Sequence, residues 1–306
     1  MILLYLITQF KGVVIVSIPL IILAILKPEV FNYYSAIVIC SLAMGCYITY
    51  LNYITTKQQA DVLLFVPSGE CKAAFDQEIN RCTLSPDAIR LRYGYCDDMI
   101  AQTIFNTVKV DPRMWKDIDA DPKVAEVVQI IKNHIMPGVP EDKKNLHDKI
   151  AVALTAPAQR FIFRHELGHV YNKSVIKRLG VIALVGTLAA FIGIAGATLF
   201  LGSLPGFFVV LIGMFFGGCA DLFLSHGSKA IFNYHDEKRA DLFAVRHSSA
   251  EEILAAAQFF ENYQTYADDY KRESMGLLAN IPQAILSGHP DGKVRASYLR
   301  KLASNN

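Results

Sequence analysis

The chain has 306 residues, of which 53% are hydrophobic and only 19% are charged, whereas a typical soluble domain is about 25% charged. This composition excludes a disordered chain, a collagen-like chain and a polar repeat array, and it argues against an ordinary soluble enzyme. The 30 basic and 28 acidic side chains nearly balance, and no tract is rich in lysine or arginine, so the sequence predicts no nucleic-acid partner.

The apolar residues concentrate in four long stretches. As a helix, each stretch is long enough to cross a hydrocarbon layer of about 30 Å, which needs roughly 20 residues. We therefore expect a mainly α-helical membrane protein with four transmembrane helices and a small polar domain. The four predicted spans are Ile2–Leu26, Tyr34–Ile54, Val181–Leu204 and Pro205–Leu224.

Positive charges beside the spans predict their orientation, because lysine and arginine are enriched in cytoplasmic flanks. One such residue, Lys27, lies in the turn after the first span, and none lies in the turn between the third and fourth spans. Nine lie on the other flanks, namely Lys57, Lys72, Arg164, Lys173, Lys177, Arg178, Lys229, Lys238 and Arg239. This distribution of lysine and arginine predicts that residues 56–180 and 225–306 lie in the cytoplasm. We therefore expect a multi-pass protein of a bacterial inner membrane.

This topology divides the chain into four segments. Two are transmembrane hairpins, and the two cytoplasmic segments together are long enough to form one domain with its own core. The predicted boundaries are 1–55 for the first hairpin, 56–180 for the first part of the cytoplasmic domain, 181–224 for the second hairpin and 225–306 for the second part.

The cytoplasmic segments have the patterns of mixed helix and strand. Ala88–Tyr93 alternates between polar and apolar residues like a half-buried strand, and Lys149–Thr155 has the composition of a second strand. Helices are expected where an N-cap residue or a proline precedes apolar residues at helical spacing. The predicted starts are Asp121–Pro122 (through Ile131), Pro157, Ser249 with Glu252 as its capping-box partner (through Tyr263), and Asp291 (through Leu302).

The segment His165-Glu166-Leu167-Gly168-His169 has the pattern H-E-x-x-H. Residues four apart share one face of a helix, so His165 and His169 are able to present two imidazoles to one metal ion. Glu166 lies beside the first histidine, where it is placed to take a proton from a water molecule at the metal. Gly168 leaves room for another element to approach this helix closely.

A catalytic zinc site needs a third protein ligand and an open position for water. Glu237 and Asp241 are again four residues apart on a predicted helix, and Ala240 keeps that helix thin enough to pack against the first one. Glu237 is the predicted third ligand, while Asp241 is predicted to accept a hydrogen bond from a ligand histidine. His235 is the rival ligand, and a solvated charged helix face is the alternative without metal.

A further cluster lies near the end of the sequence, where His289 and Arg295 flank a turn that opens the last predicted helix. In a hydrolase, both side chains could polarise a carbonyl or stabilise the oxyanion that forms when water attacks it. Taken alone, the cluster is also typical of a capped helix start followed by a basic residue.

Together these motifs resemble those of the integral-membrane zinc metallopeptidases of the HtpX and CAAX-prenyl endopeptidase type, over roughly residues 149–300. The two N-terminal spans are similar to HtpX in particular. The resemblance implies a gluzincin, in which two histidines and a glutamate bind one zinc ion and the motif glutamate is the general base. It also implies a small α+β zincin-like catalytic domain, assembled from the segments before and after the second hairpin. The shared motifs are H-E-x-x-H, a pair of spans, Glu237-x-x-Ala240-Asp241 and His289-Pro290-x(4)-Arg295.

The predicted function is a membrane-embedded zinc endopeptidase with a cytoplasmic active site. Its expected partners are the lipid bilayer and protein or peptide substrates from the membrane or near it, including misfolded proteins. The strand predicted at Lys149–Thr155 would pair with an extended substrate. Two other classes stay open. One is a signalling protease that cleaves a single repressor, for which the outer loops are short. The other is a membrane scaffold that holds zinc without catalysis, for which Glu166 would be unnecessary.

Overall fold

The computed structural model describes the chain in several stretches, and the structural statements below concern these residues. They are 33–61, 66–67, 69–94, 96, 101–112, 125–126, 128–129, 149–150, 153–201, 206–275 and 291–305.

Two compact units make up the fold, and each contains two separate segments of the chain. The first unit comprises Met1–Thr56 and Ile176–Phe232, and the second unit comprises Lys57–Val175 and Asn233–Asn306. The described elements are mostly helices, with one small sheet. The helices are α1 (Tyr33–Asp61), α2 (Gly69–Arg81), α3 (Ala156–Tyr171), α4 (Ser174–Leu201), α5 (Gly206–Arg246), α6 (Ala250–Met275) and α7 (Gly292–Ala303), and the strands are β1 (Arg90–Tyr93), β2 (Ala101–Ile104) and β3 (Thr107–Val110).

The sheet has three strands in the order β1-β3-β2. β1 runs parallel to β3, while β2 and β3 form an antiparallel hairpin in which Thr103 lies opposite Val108. The hairpin turns at Phe105 and Asn106, and Phe105 has a positive φ of 54°. The strand predicted over Ala88–Tyr93 is confirmed over β1, whereas the hairpin is not among the predicted elements.

The strand predicted over Lys149–Thr155 is wrong. Ile150 and Leu154 lie four positions apart, as on one face of a helix, and both are buried in the core of the second unit. A short apolar run does not distinguish a strand from a buried helical segment by its composition, and here none of the described residues is in a strand. The helical residues within this segment are Lys149, Ile150 and Ala153.

α3 is the central helix of the second unit. It begins at Ala156 with Pro157 in its first turn, as predicted. On one side it packs against α2 and the sheet, where the rings of Phe75 and Phe163 meet edge to face with centroids 5.1 Å apart. On another side, Phe161 packs into a cluster formed by α6, α7 and the end of α5. This burial fixes the backbone that bears the H-E-x-x-H motif.

The predicted starts of α6 and α7 are confirmed by their capping contacts. At α6, the backbone N–H of Ser249 donates to Glu252 Oε2 at 2.8 Å, and the backbone N–H of Glu252 donates to the Ser249 hydroxyl at 3.3 Å. At α7, Asp291 accepts hydrogen bonds from the backbone N–H groups of Lys293 and Val294. Both caps satisfy N–H groups that a helix leaves unpaired at its first turn.

Two predictions lie wholly or partly outside the described residues. The span Ile2–Leu26 is entirely outside them. For the helix predicted from Asp121–Pro122, residues 125–126 and 128–129 are helical, and the other residues are not described.

In the first unit, α4 and α5 approach each other through glycine and alanine. Gly193 on α4 lies so close to α5 that a Cβ there would stand 2.3 Å from the carbonyl oxygen of Gly213. One turn further along α5, a Cβ at Gly217 would stand 2.7 Å from Cα of Ala190. No larger side chain fits at these positions without moving a helix. Contacts of this kind are typical of helices that pack in membranes.

One described helix, over Ser174–Phe200, is long and apolar enough to cross a membrane, judged by length and composition alone. It contains most of the third predicted span. The second predicted span lies within α1, where the apolar stretch Val38–Ile54 is shorter, and the fourth lies mostly within α5. The described fold is therefore mainly helical with a small sheet, as expected, while the four spans stay a prediction.

Candidate metal centre

α3 brings the two histidines of the H-E-x-x-H motif onto one face, one turn apart. The Nε2 atoms of His165 and His169 lie 3.1 Å from each other, and the rings are nearly perpendicular, at 88°. The ring of His165 is buried, and that of His169 is 11% exposed. The two imidazoles therefore point their Nε2 atoms at one small volume.

α5 reaches this volume because it crosses α3 at two small residues. A Cβ at Gly168 would lie 3.0 Å from Cα of Ala240 and 3.1 Å from its carbonyl oxygen. Ala240 itself is fully buried. Glu237 lies about one helical turn before Ala240, so this close crossing brings its carboxylate to the imidazoles.

Glu237 completes a group of three candidate ligands for one metal ion. Its Oε2 lies 3.2 Å from Nε2 of His165, and its Oε1 lies 3.4 Å from Nε2 of His169. Two ligand atoms bound to one tetrahedral zinc ion, each at about 2.0–2.1 Å from it, would be about 3.3 Å apart. The observed separations therefore fit a single small cation shared by all three residues.

Two aspartates on α5 lie at the Nδ1 atoms of the histidines. Asp241 Oδ1 lies 2.9 Å from Nδ1 of His165, and Asp236 Oδ2 lies 3.0 Å from Nδ1 of His169. A carboxylate only accepts hydrogen bonds, so Nδ1 bears the hydrogen in neutral His169 and its Nε2 keeps a lone pair. At His165, Nη2 of Arg295 also lies 2.9 Å from Nδ1, beside Asp241. Ser174 orients Asp236 by donating to Oδ1 at 2.7 Å. A lone pair that faces the cation site in this way is stabilised by a metal ion.

The same carboxylates favour positive charge on the histidines. Burial alone would lower the pKa of His169, but its hydrogen bonds to Asp236 and Glu237 raise the pKa to about 10. Burial also opposes charge on His165, and hydrogen bonds to Asp241 and Glu237 raise its pKa above the ordinary value. Protons and a metal ion therefore compete for the same two imidazoles.

Comparison with known families identifies the chemistry that this donor set serves. A model of peptidase family M48 matches residues 140–303, which are more than half of the chain and include all three ligands. The chain belongs to peptidase family M48. It is therefore assigned to a family of metal-dependent peptidases. Comparisons with curated proteins and with solved structures each found no significant match.

The motif glutamate of this M48 peptidase lies beside the ligands and contacts the sheet. Thr103 on β2 places its hydroxyl oxygen 2.7 Å from Oε2 of Glu166 and 3.0 Å from the backbone carbonyl oxygen of the same residue. Both side chains are buried. Among the described residues, Thr103 is the only side chain that forms a hydrogen bond with the Glu166 carboxylate, and the bond is to Oε2 rather than Oε1.

Arg295 on α7 is fixed next to the ligands. Its Nε and Nη2 donate to the two oxygens of Asp241 at 2.8 and 2.5 Å, and its guanidinium carbon lies 3.7 Å from the ring centroid of Phe260. Its Nη1 lies 3.7 Å from Oε2 of Glu237. Arg295 therefore holds Asp241, which in turn orients His165, and it presents Nη1 toward the ligand carboxylate.

The structure brings most of the predicted site residues of the M48 peptidase together. They are His165, Glu166, His169, Glu237, Asp241 and Arg295. His289 lies outside the described residues, so its role stays a prediction. His235, the rival third ligand, is exposed and has its ring beside Tyr234, outside the three-ligand group.

Three residues of the site are not among those predicted from the sequence, namely Thr103, Ser174 and Asp236. Asp236 directly precedes Glu237, and an acidic pair at a proposed ligand position is a usable signal for a carboxylate that orients a histidine. Thr103 and Ser174 give no such signal. Thr103 bonds to a residue 63 positions away in sequence, so tertiary packing brings it to the site. Ser174 bonds to Asp236, 62 positions away, and also lies 3.2 Å from Nδ1 of His169, five positions before it.

Proposed function

We propose that this M48 peptidase is a zinc-dependent endopeptidase anchored in a membrane, which hydrolyses peptide bonds of membrane or membrane-adjacent proteins, including misfolded ones. The observation that supports the proposal most directly is the convergence of two imidazole Nε2 atoms and the Glu237 carboxylate beside Glu166. Three such ligands and a position left for water are the donor set of catalytic zinc sites.

In the proposed mechanism, the two histidines and Glu237 would hold one zinc ion. When bound, the ion would lower the pKa of a water molecule and polarise the scissile carbonyl. Glu166 accepts a proton from the attacking water and later delivers it to the leaving amine. Arg295 would donate to the developing oxyanion through Nη1, since its Nε and Nη2 already donate to Asp241. His289 is proposed to assist in the same step.

Membrane anchoring is proposed for the first unit because of its exposed surface. On α4, Leu184, Leu199 and Phe200 are 70%, 81% and 87% exposed, while Ala189 and Ala190 are fully buried. Large apolar side chains exposed on the outside of helices that pack through small residues are unfavourable in water. The same arrangement is favourable in the hydrocarbon layer of a membrane. We propose that the four predicted spans insert together as a multi-pass anchor.

We further propose that the catalytic centre faces the cytoplasm of a bacterial inner membrane, as the distribution of lysine and arginine indicates. Orientation is testable with single cysteines at Ser203, in the predicted outer turn, and at Glu251, which is exposed on α6. In chains without the native cysteines, Ser203→Cys should react with a membrane-impermeant thiol reagent in intact cells. Glu251→Cys should react only after permeabilisation, and the reverse pattern would contradict the proposed orientation.

An extended substrate is proposed to pair with β2. This strand lies at one edge of the described sheet, and its Thr103 contacts Glu166. A peptide that hydrogen-bonds along this edge would run past the general base. β2 takes the role predicted for Lys149–Thr155, whose described residues are largely helical and provide no strand edge.

The experiment that tests the catalytic proposal compares Glu166→Gln with wild type in one detergent and lipid composition. The variant keeps the size of the side chain and removes its basicity, so zinc should stay bound while cleavage of an unfolded protein falls at least ~100-fold. Zinc stoichiometry and initial rates are measured with and without a chelator. Glu251→Gln, an exposed Glu-to-Gln change on α6, is the matched control.

Near-normal cleavage by zinc-loaded Glu166→Gln would refute the mechanism. The ligand assignment is checked in the same preparations, where Glu237→Ala should lose zinc and His235→Ala should retain it. An equal loss of zinc in His235→Ala and Glu237→Ala would contradict the assignment and favour His235 as a ligand.

A further inference from the structure

We propose that Thr103 is a positioning residue for catalysis, whose hydroxyl holds the carboxylate of Glu166 in one orientation throughout the reaction. The proposal rests on the proposed function, because it assumes that Glu166 is the general base. It assigns a role in the reaction to a strand that bears no metal ligand.

The position of Thr103 leaves little freedom to either side chain. Its hydroxyl lies 2.7 Å from Glu166 Oε2, and Thr103 and Glu166 are 8% and 6% exposed. Thr103 is held in the hairpin by pairing with Val108, and a threonine side chain has few rotamers. The hydroxyl is therefore a fixed donor at the end of a flexible glutamate side chain.

This contact distinguishes the two oxygens of the general base. Oε2 is occupied by the hydroxyl hydrogen of Thr103, whereas Oε1 accepts no hydrogen bond from a described residue. A glutamate has several rotatable bonds, and fixing the carboxylate plane avoids part of the ordering that proton transfer requires. Oε1 is thereby assigned as the oxygen that takes the proton from water.

The contact from Thr103 persists when Glu166 receives that proton on Oε1. A hydroxyl has one hydrogen and two lone pairs, so it donates to one acceptor at a time. With Glu166 ionised, it donates to Oε2. With Glu166 neutral and its hydrogen on Oε1, Oε2 is the carbonyl oxygen of the acid and still accepts from the hydroxyl, and the backbone carbonyl oxygen of Glu166, 3.0 Å away, is a second acceptor. Thr103 therefore supports the base before and after proton transfer.

The test compares Thr103→Val, which keeps the shape and removes the hydroxyl, with Thr103→Ser, which restores the hydroxyl. Because a hydrogen bond to a charged group is lost, kcat of zinc-loaded Thr103→Val should fall about 10- to 100-fold with KM little changed. Thr103→Ser should recover most of the rate. Thr107→Val, the same change on neighbouring β3 with no hydrogen bond to Glu166, is the matched control.

A second readout does not depend on activity. Thermal unfolding of the metal-free protein is measured for Thr103→Val, Glu166→Ala and the double variant. Residues that act through one hydrogen bond give non-additive effects. Thr103→Val should therefore lower Tm in the wild-type background and change it much less in the Glu166→Ala background.

The outcomes separate this proposal from the catalytic one. Loss of activity in Glu166→Gln together with near-normal kcat in Thr103→Val overturns the role of Thr103 and leaves the general base in place. Normal activity in Glu166→Gln overturns both. Zinc loss in Thr103→Val, equal defects in Thr103→Ser and Thr103→Val, or additive Tm shifts would each reduce Thr103 to a structural residue and overturn the proposal.

Discussion

The first unit buries glycine and alanine where its helices meet and exposes leucine and phenylalanine, whereas the second unit buries aromatic rings together with charged side chains. In the first unit, a Cβ at Gly193 would stand 2.3 Å from the backbone of α5. In the second unit, Arg164 is fully buried between Glu78 and Glu252. The difference indicates that close backbone packing holds the first unit, while charge pairing and aromatic burial hold the second.

The largest expected effect comes from breaking the buried ion pairs of the second unit. Arg164 donates to Glu78 at 2.5 Å and to Glu252 at 2.7 and 2.8 Å. Arg164→Met would remove the guanidinium from Glu78 and leave Glu252 with Arg81, 3.6 Å away, so it should lower the free energy of unfolding by about 3–5 kcal/mol. Chemical unfolding measures the loss. Arg160→Met, at an exposed position of the same helix, is the control, and equal stability of both variants would contradict the comparison.

The matching change in the first unit adds one methyl group. Gly193→Ala has no space against Gly213 and Gly217, and it should destabilise the first unit by about 1–3 kcal/mol through overpacking. Gly196→Ala lies almost one turn further along α4 and meets nothing within 4 Å. This control should be neutral or slightly stabilising, because alanine favours helix more than glycine does. Thermal unfolding of both variants is measured in one lipid composition. Similar Tm values for Gly193→Ala and Gly196→Ala would show that the close contact does not hold the helices together.

A smaller effect is expected on zinc affinity, when a carboxylate beside a candidate ligand of the second unit is removed. Asp236→Asn removes the carboxylate that orients His169, and it should weaken zinc binding about 10- to 100-fold. Competition with a zinc-binding dye measures the affinity. Asp76→Asn, a surface Asp-to-Asn change on α2, should bind zinc like wild type. If Asp236→Asn also matches wild type, Asp236 has no part in orienting the ligand.

Acid should weaken the second unit through Glu252. Burial alone would raise the pKa of this carboxyl, but hydrogen bonds from Arg164 and from the backbone of Ser249 lower it from 4.5 to about 2. A carboxyl with a lower pKa in the folded state stabilises the fold above its unfolded pKa and loses that contribution as pH falls. Tm should therefore drop as pH falls from about 4.5 toward 2. Glu252→Gln should flatten this part of the profile, and an unchanged profile would contradict the assignment.

Local patterns in the sequence were sufficient where one short segment determines the result. The capping box at Ser249 and the helix start at Pro157 act through neighbours along the chain, and the four-residue spacing of His165 and His169 acts along one helix. These signals predicted α3, α6 and the group of three ligands that the structure brings together.

Patterns failed where burial or distant contacts decide the result. The segment Lys149–Thr155 is apolar enough for a strand, yet its Ile150 and Leu154 are buried in the core and its described residues include helical ones and none in a strand. Arg164 was counted with the positive charges beside the membrane, but it is buried between two glutamates. The partners of Arg164 lie more than 80 residues away, so no local pattern indicates them.

The three candidate metal ligands and the two aspartates at the histidines lie on α3 and α5, and none of the five lies on a loop. Helical positions keep their spacing whether or not an ion is present, so loading requires little ordering of the backbone. Loading would then depend on the supply of free metal and on displacement of protons from the two imidazoles. The same donor set would stand ready in the folded chain before an ion arrives.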